Sequence, residues 1–247
     1  MFFREIKMRK YLLFILAIFT ISSCDDALFN SGDIITKTYE LEDFNEIYIE
    51  DIFDIFLVQD TICKLELEGG SNLLPNIDFD ITDNKFHISN TNSASWSRNY
   101  ERIKVYISLK DIAFLKVDES ANVSCIDTLF LPKLTVHAIN DYSDISLTLS
   151  TDNFYIVNEG TSGGYFTIKG ETINSGIWAR GSCIIDASEF KTIKTVIKSE
   201  SIGDCKINVS QTLKAEISRS GNIYYKGNPE TINYLNEQAK KQTFKIE

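Results

Sequence analysis

The chain has 247 residues, with 25 Lys+Arg against 35 Asp+Glu, two His, five Cys, 12 Gly and three Pro. A formal charge of −10 argues against a nucleic-acid binder, which needs a basic face to neutralise phosphates, and 43% hydrophobic residues argue against a disordered chain. So few Pro and Gly exclude a collagen-like or linker-rich architecture, and the length is enough to bury a sizeable core.

The chain opens with Arg4, Lys7, Arg9 and Lys10 against a single Glu5, and continues as an apolar run from Tyr11 to Ile21. A basic head before such a run reads as a secretory signal. The run is too short for a transmembrane helix, which needs about 20 residues. It ends Ile21-Ser22-Ser23-Cys24: an aliphatic residue, two small residues, then Cys. This resembles a bacterial lipobox. The resemblance implies a diacylglyceryl group on the Cys24 thiol and cleavage between Ser23 and Cys24. Each acyl CH2 buried in the bilayer would contribute about 0.8 kcal/mol to anchoring. Residues 1–23 are thus expected as a lipoprotein signal peptide, and 24–40 as the lipidated Cys with a linker. The expected location is the cell envelope, lipid-anchored, at the outer membrane and its surface. Asp25 and Asp26 leave the leaflet open.

The body reads as strands. Apolar and polar residues alternate in Ile47-Tyr-Ile-Glu, Asp54-Ile-Phe-Leu-Val, Lys64-Leu-Glu-Leu-Glu, Ile77-Asp-Phe-Asp-Ile, Lys85-Phe-His-Ile and Ile103-Lys-Val-Tyr-Ile. The abundant Ile favours strands, because β-branched side chains suit a pleated surface. Ser71 to Pro75 predicts a bend or helical turn. These residues form an expected N-terminal β section, 41–110.

From Leu115 a period appears. Leu115, Leu134, Phe154, Ile173, Ile193 and Leu213 open comparable segments 19 or 20 residues apart. Each reaches a polar corner and then a second short strand containing Val123, Ile145, Phe166, Cys183, Cys205 or Ile223. A repeat of this size cannot bury its own apolar face, so neighbours must stack. The expectation is an all-β fold: a parallel β-helix or solenoid with coils of about 20 residues over 111–229, preceded by the N-terminal β section. Residues 230–247 read as a final strand or C-terminal tail. Stacked corners would place Glu119, Asp141, Glu159, Arg180, Glu200 and Arg219 in one ladder of mixed sign, at a spacing of roughly 4.8 Å.

Cys63, Cys125, Cys183 and Cys205 remain besides Cys24. Cys183 and Cys205 fall at like positions of successive repeats, which suits buried thiols, with a bridge between neighbouring coils as the rival. The Cys and His pattern lacks metal-ligand spacing, so neither a metal nor another cofactor is expected. His87 and His137 sit at strand positions expected to face solvent. Asp78 and Asp80 alternate with Phe79 and Ile81, as on a half-buried strand. The stretch Ser89 to Arg102, SNTNSASWSRNYER, is a long polar loop carrying Trp96 and Tyr100. Exposed aromatics among Asn and Ser suit stacking on sugar rings or a protein contact, so Trp96 and Tyr100 are candidate binding residues. Folding of Trp96 back onto the solenoid end is the alternative.

Two segments carry a family resemblance. One is Phe44-Asn-Glu-Ile-Tyr-Ile-Glu-Asp-Ile-Phe-Asp-Ile-Phe-Leu-Val-Gln-Asp60. The other is Ser220-Gly-Asn-Ile-Tyr-Tyr-Lys-Gly-Asn-Pro229. Together with Leu65-Glu-Leu-Glu-Gly and Asn72-Leu-Leu-Pro-Asn-Ile they resemble the head GIN domain family, whose label marks candidate auto-transporter adhesins. Asp51-Ile52 stand where members often carry a small residue, and several corners are poorer in Gly. The resemblance implies a β-helical surface lipoprotein and supplies no catalytic residues. The function expected is a non-enzymatic adhesion or interaction protein, with the membrane as partner through its anchor and a glycan or surface protein as ligand. The alternative is a carbohydrate-binding or polysaccharide-active β-helix, for which Asp141, Glu159, Arg180 and Glu200 are the candidate groups.

Overall fold

Strand alternation translates residue by residue into burial. In β1 (Ile34–Glu40), β2 (Glu46–Ile49) and β3 (Asp54–Gln59) every second side chain turns inward, and Ile47, Ile49, Ile55 and Leu57 are fully buried. The computed structural model describes residues 31–92, 102–139, 142–159 and 163–247. It is all-β, with an N-terminal β section and about six solenoid turns.

Three strands, β11 (Ser143–Asn158), β12 (Gly164–Gly181) and β13 (Ile184–Ser201), have 16, 18 and 18 residues. Each bends partway, so that it closes one coil and opens the next. With β8 (Phe114–Val117), β9 (Asn122–Cys125), β10 (Leu129–Ala138), β14 (Cys205–Ile217) and β15 (Ile223–Lys226) they stack in parallel. One inward column runs Leu115–Val136–Ile156–Ile177–Ile197–Ala215, each residue opposite the next and all buried. A second runs Val123–Ile145–Phe166–Ile185–Cys205–Ile223. Two corrections to the sequence reading follow from these registers. Cys205 lies beside Ile185 rather than Cys183. The column through Leu134 and Phe154 continues through Ser175 and Thr195 to Leu213, not through Ile173 and Ile193. Alternation gives the parity of a residue but cannot distinguish it from one two places away.

The coil order is not the chain order. β2 and β3 pair on one side with β8 and β9, 68 residues later (Glu46↔Phe114, Asp54↔Asn122). On the other side they pair with β6 (Lys85–Asn90) and β7 (Lys104–Leu109). The chain thus builds one coil, passes outward to lay another beneath it, and returns to continue upward. Antiparallel strands close the lower end. β4 (Lys64–Gly70) lies on β7 and β1 on β4. β5 (Ile77–Thr82) lies on β6 through a tight turn at Asp83 and Asn84, both with positive φ. The bend near Pro75 is a short 3-10 turn, Leu74–Asn76.

At the upper end, residues 230–247 hold β16 (Thr231–Tyr234) on β14, α1 (Glu237–Gln242) and β17 (Thr243–Lys245) on β15. Asn236 caps α1 by accepting from the Ala239 N–H at 2.8 Å. Cys63, Cys183 and Cys205 are buried free thiols, and Cys125 is half-buried and free. Among the described residues no helix is long and apolar enough to cross a membrane.

Candidate functional site

The sheet that begins each coil presents its outward residues on one open face. Aromatic and charged side chains gather there. The Tyr48 and His87 rings stack at 4.6 Å, and Phe114 stands 5.8 Å from Tyr48 and 6.1 Å from His137. Tyr48 donates its hydroxyl to Glu46 Oε2 at 2.7 Å, and this bond, with burial, pushes its pKa up to about 12. His87 Nδ1 lies 3.2 Å from Glu50, and both histidines are part-exposed, as their strand parity predicts.

Further up the face, Tyr155 and Trp178 are each more than a third exposed. Trp178 is bracketed by cations. The Arg180 guanidinium stands 4.3 Å from its ring centre and Lys198 Nζ 5.5 Å. Arg180 Nε lies 3.2 Å from Glu200, and Lys198 lies 3.3 Å from Glu200 and 3.9 Å from Glu216. Partial burial pushes the Glu200 carboxyl up, but the Lys198 hydrogen bond and the charges of Arg180 and Lys198 outweigh it and hold it below the ordinary range. Glu200 is therefore an ionised, neutralised carboxylate. A glycosidic general acid needs the opposite shift.

The corner ladder assembles in part. Arg180 meets Glu200, whereas Glu159 turns to His137 at 3.4 Å. Asp141, Cys24, Trp96 and Tyr100 lie outside the described residues. The chain between β6 and β7 that carries Trp96 and Tyr100 leaves from Asn92, whose amide donates to the Leu73 carbonyl at 3.0 Å. It returns at Arg102, which donates to the Ser120 carbonyl at 3.2 Å. Among the described residues no group of three or more His, Cys, Asp or Glu is placed to hold a metal. Tyr155 and Trp178 were missed by the sequence reading. Their signal was parity: each follows a buried residue, Phe154 and Ile177, and so points outward.

Comparison with known proteins agrees with the coil architecture. The family described as "Putative auto-transporter adhesin, head GIN domain" matches residues 43–229. A putative adhesin from Bacteroides fragilis shares the fold with a TM-score of 0.73 at 20% identity, over 86% of this chain and 93% of that one. A putative adhesin from Parabacteroides merdae gives 0.56 at 19%, over 89% and 98%. A putative lipid binding protein from Parabacteroides distasonis gives 0.60 at 16%, over 87% and 98%. No curated protein matches the chain.

Proposed function

The chain belongs to the head GIN domain family, and from that premise we propose that it is a cell-envelope lipoprotein acting without catalysis as a surface adhesion or interaction protein. Acyl chains on Cys24 hold it to the outer membrane, and a glycan or surface protein is the partner. One observation carries this reading: the exposed Tyr155 and Trp178 on an outward sheet face, among carboxylates already paired with cations. Rigid aromatics offer large contact area at low entropic cost. Glu200, held ionised between Arg180 and Lys198, fits a contact surface better than acid catalysis. Trp96 and Tyr100 are proposed as further contact residues.

The test has two arms. Cells expressing the full chain are fed an alkyne-bearing fatty acid. Wild type should take up label and Cys24→Ser should not; an unlabelled wild type sinks the anchor. The purified chain is then incubated with soluble polysaccharides. Reducing ends released by wild type and lost in Glu200→Gln would overturn the non-enzymatic reading.

A further inference from the structure

On the far edge of the coils, opposite the polar corners, the bends form a trough of about 640 Å3. This lies within the usual range for ligand sites, roughly 300–1,000 Å3. Its register is regular. Leu131, Thr151, Thr172 and Thr192 stand opposite one another and are buried, forming the floor. One rim is the ladder Phe130, Ser150, Glu171 and Lys191, again in register. The other rim, two residues further along each bend, is Pro132, Asp152, Ile173 and Ile193. At a strand spacing of about 4.8 Å each rim runs about 14 Å along the solenoid axis.

The composition of this edge is inverted. Thr195 and Ser175 occupy inward positions and are buried, while Ile173 is 44% exposed and Phe130 66% exposed. The Thr195 hydroxyl donates to the Thr192 hydroxyl at 2.6 Å, and Thr192 donates to the Asn208 carbonyl at 2.8 Å. Buried hydroxyls thus lie beneath exposed apolar side chains along this edge, so the trough offers apolar surface beside polar groups. Such mixed surface concentrates where a protein makes contacts.

We propose that this trough binds a linear, neutral oligosaccharide lying along the axis. The assignment deepens the surface reading and rests on it, since such a chain meets the protein outside the cell. The rims mix apolar faces with hydroxyl, carboxylate and ammonium groups. A sugar chain uses both kinds of surface, its ring faces against Phe130 and Ile173 and its hydroxyls toward Ser150, Asp152 and Glu171. An acyl chain would leave those polar groups desolvated without partners. The extent of the rims across four stacked strands suits an extended chain rather than a compact ligand. Two carboxylates, Asp152 and Glu171, against the single ammonium of Lys191 disfavour a polyanion.

The test is affinity electrophoresis of the full chain through gels containing hydroxyethylcellulose, mannan or soluble starch, with polygalacturonate as the anionic comparator. The expected result is retardation by at least one neutral polymer, little changed from about 0.05 to 0.5 M salt. Phe130→Ser and Ile173→Ser, each at an exposed position, should weaken it at least tenfold with unchanged melting temperature. Ile202→Ser, at an exposed position on a polar corner away from the trough, should leave it intact. Retardation lost in Trp178→Ala but kept in both trough variants overturns the trough and leaves the surface reading standing. Retardation by polygalacturonate alone, or by none of the polymers, overturns the proposal. Saturable uptake of a fluorescent fatty acid, abolished by the same two variants, overturns it in favour of a lipid. None of these outcomes touches the labelling of Cys24, by which the surface reading is judged.

Discussion

The ring of Tyr155 fills the space above Gly176, its register partner in the next coil: a Cβ at Gly176 would stand 2.6 Å from Tyr155 Cδ1. The outward face is therefore laid out around a missing side chain. Gly176→Ala is expected to push the half-exposed ring aside at a cost of about 1 kcal/mol, with faster nitration of Tyr155 as the readout. Gly170→Ala should be much worse. Gly170 has φ +102, and a Cβ there would overlap the Leu149 carbonyl oxygen. Since that neighbour is backbone and cannot turn away, a loss of at least about 2 kcal/mol is expected from denaturant melts. Equal effects at the two sites would contradict this distinction.

Phe154 and Phe190 meet edge-on at 5.3 Å, both fully buried. Phe154→Ala leaves a cavity spanning two coils and should cost about 3–5 kcal/mol. Phe130→Ala at the exposed trough rim should cost less than about 0.5 kcal/mol. Urea midpoints for the two variants check the difference.

The Arg180–Glu200 pair is part-exposed, at 34% and 29% of side-chain area. A double-mutant cycle with Arg180→Ala and Glu200→Ala should give a coupling of only about 0.5 kcal/mol, fading near 1 M salt. A coupling that survives high salt would show that the pair is effectively desolvated.

Thiol reactivity should sort the cysteines. Burial pushes the thiol pKa of Cys205 far up, and raises those of Cys183 and Cys125. Attack requires the thiolate, so native Cys183 and Cys205 should resist a disulfide reagent near pH 8. Half-buried Cys125 should react slowly, and all three promptly in denaturant. If Cys183 and Cys205 stay unreactive in denaturant until a reductant is added, they are bridged.

Asp186 supplies an acid limb to stability. Partial burial pushes its carboxyl up, but hydrogen bonds from Ser188 Oγ at 2.6 Å and N at 3.2 Å, with Lys206 at 3.3 Å, outweigh it and lower the pKa. A folded pKa below the unfolded one means a contribution complete above the unfolded value and lost as pH falls through the folded value. Asp186→Asn should cost about 1 kcal/mol near neutral pH and make the loss of stability from about pH 5 to pH 3 shallower than in wild type. An identical acid limb in both proteins would remove Asp186 from this role.

Parity and period were legible in the chain alone. Alternation told that Ile47, Val123 and Ile145 point inward, and the recurrence near 20 residues told that coils stack, because both are properties of a single strand and its immediate bend. The resemblance of residues 44–60 and 220–229 located the family. Which strand neighbours which emerges only once the chain is folded. A parallel strand has two equivalent edges, and alternation does not say which later strand takes each. Thus β2 and β3 accept β6 and β7 on one side and β8 and β9 on the other. Register within a parity class was equally hidden. The period puts Ile173 and Ile193 at the coil openings, yet Ser175 and Thr195 hold those places, and the displaced isoleucines line the trough. The outward gathering of Tyr155, Trp178, Arg180 and Glu200 was hidden too, because residues 20 apart become neighbours only once the coils are stacked in register.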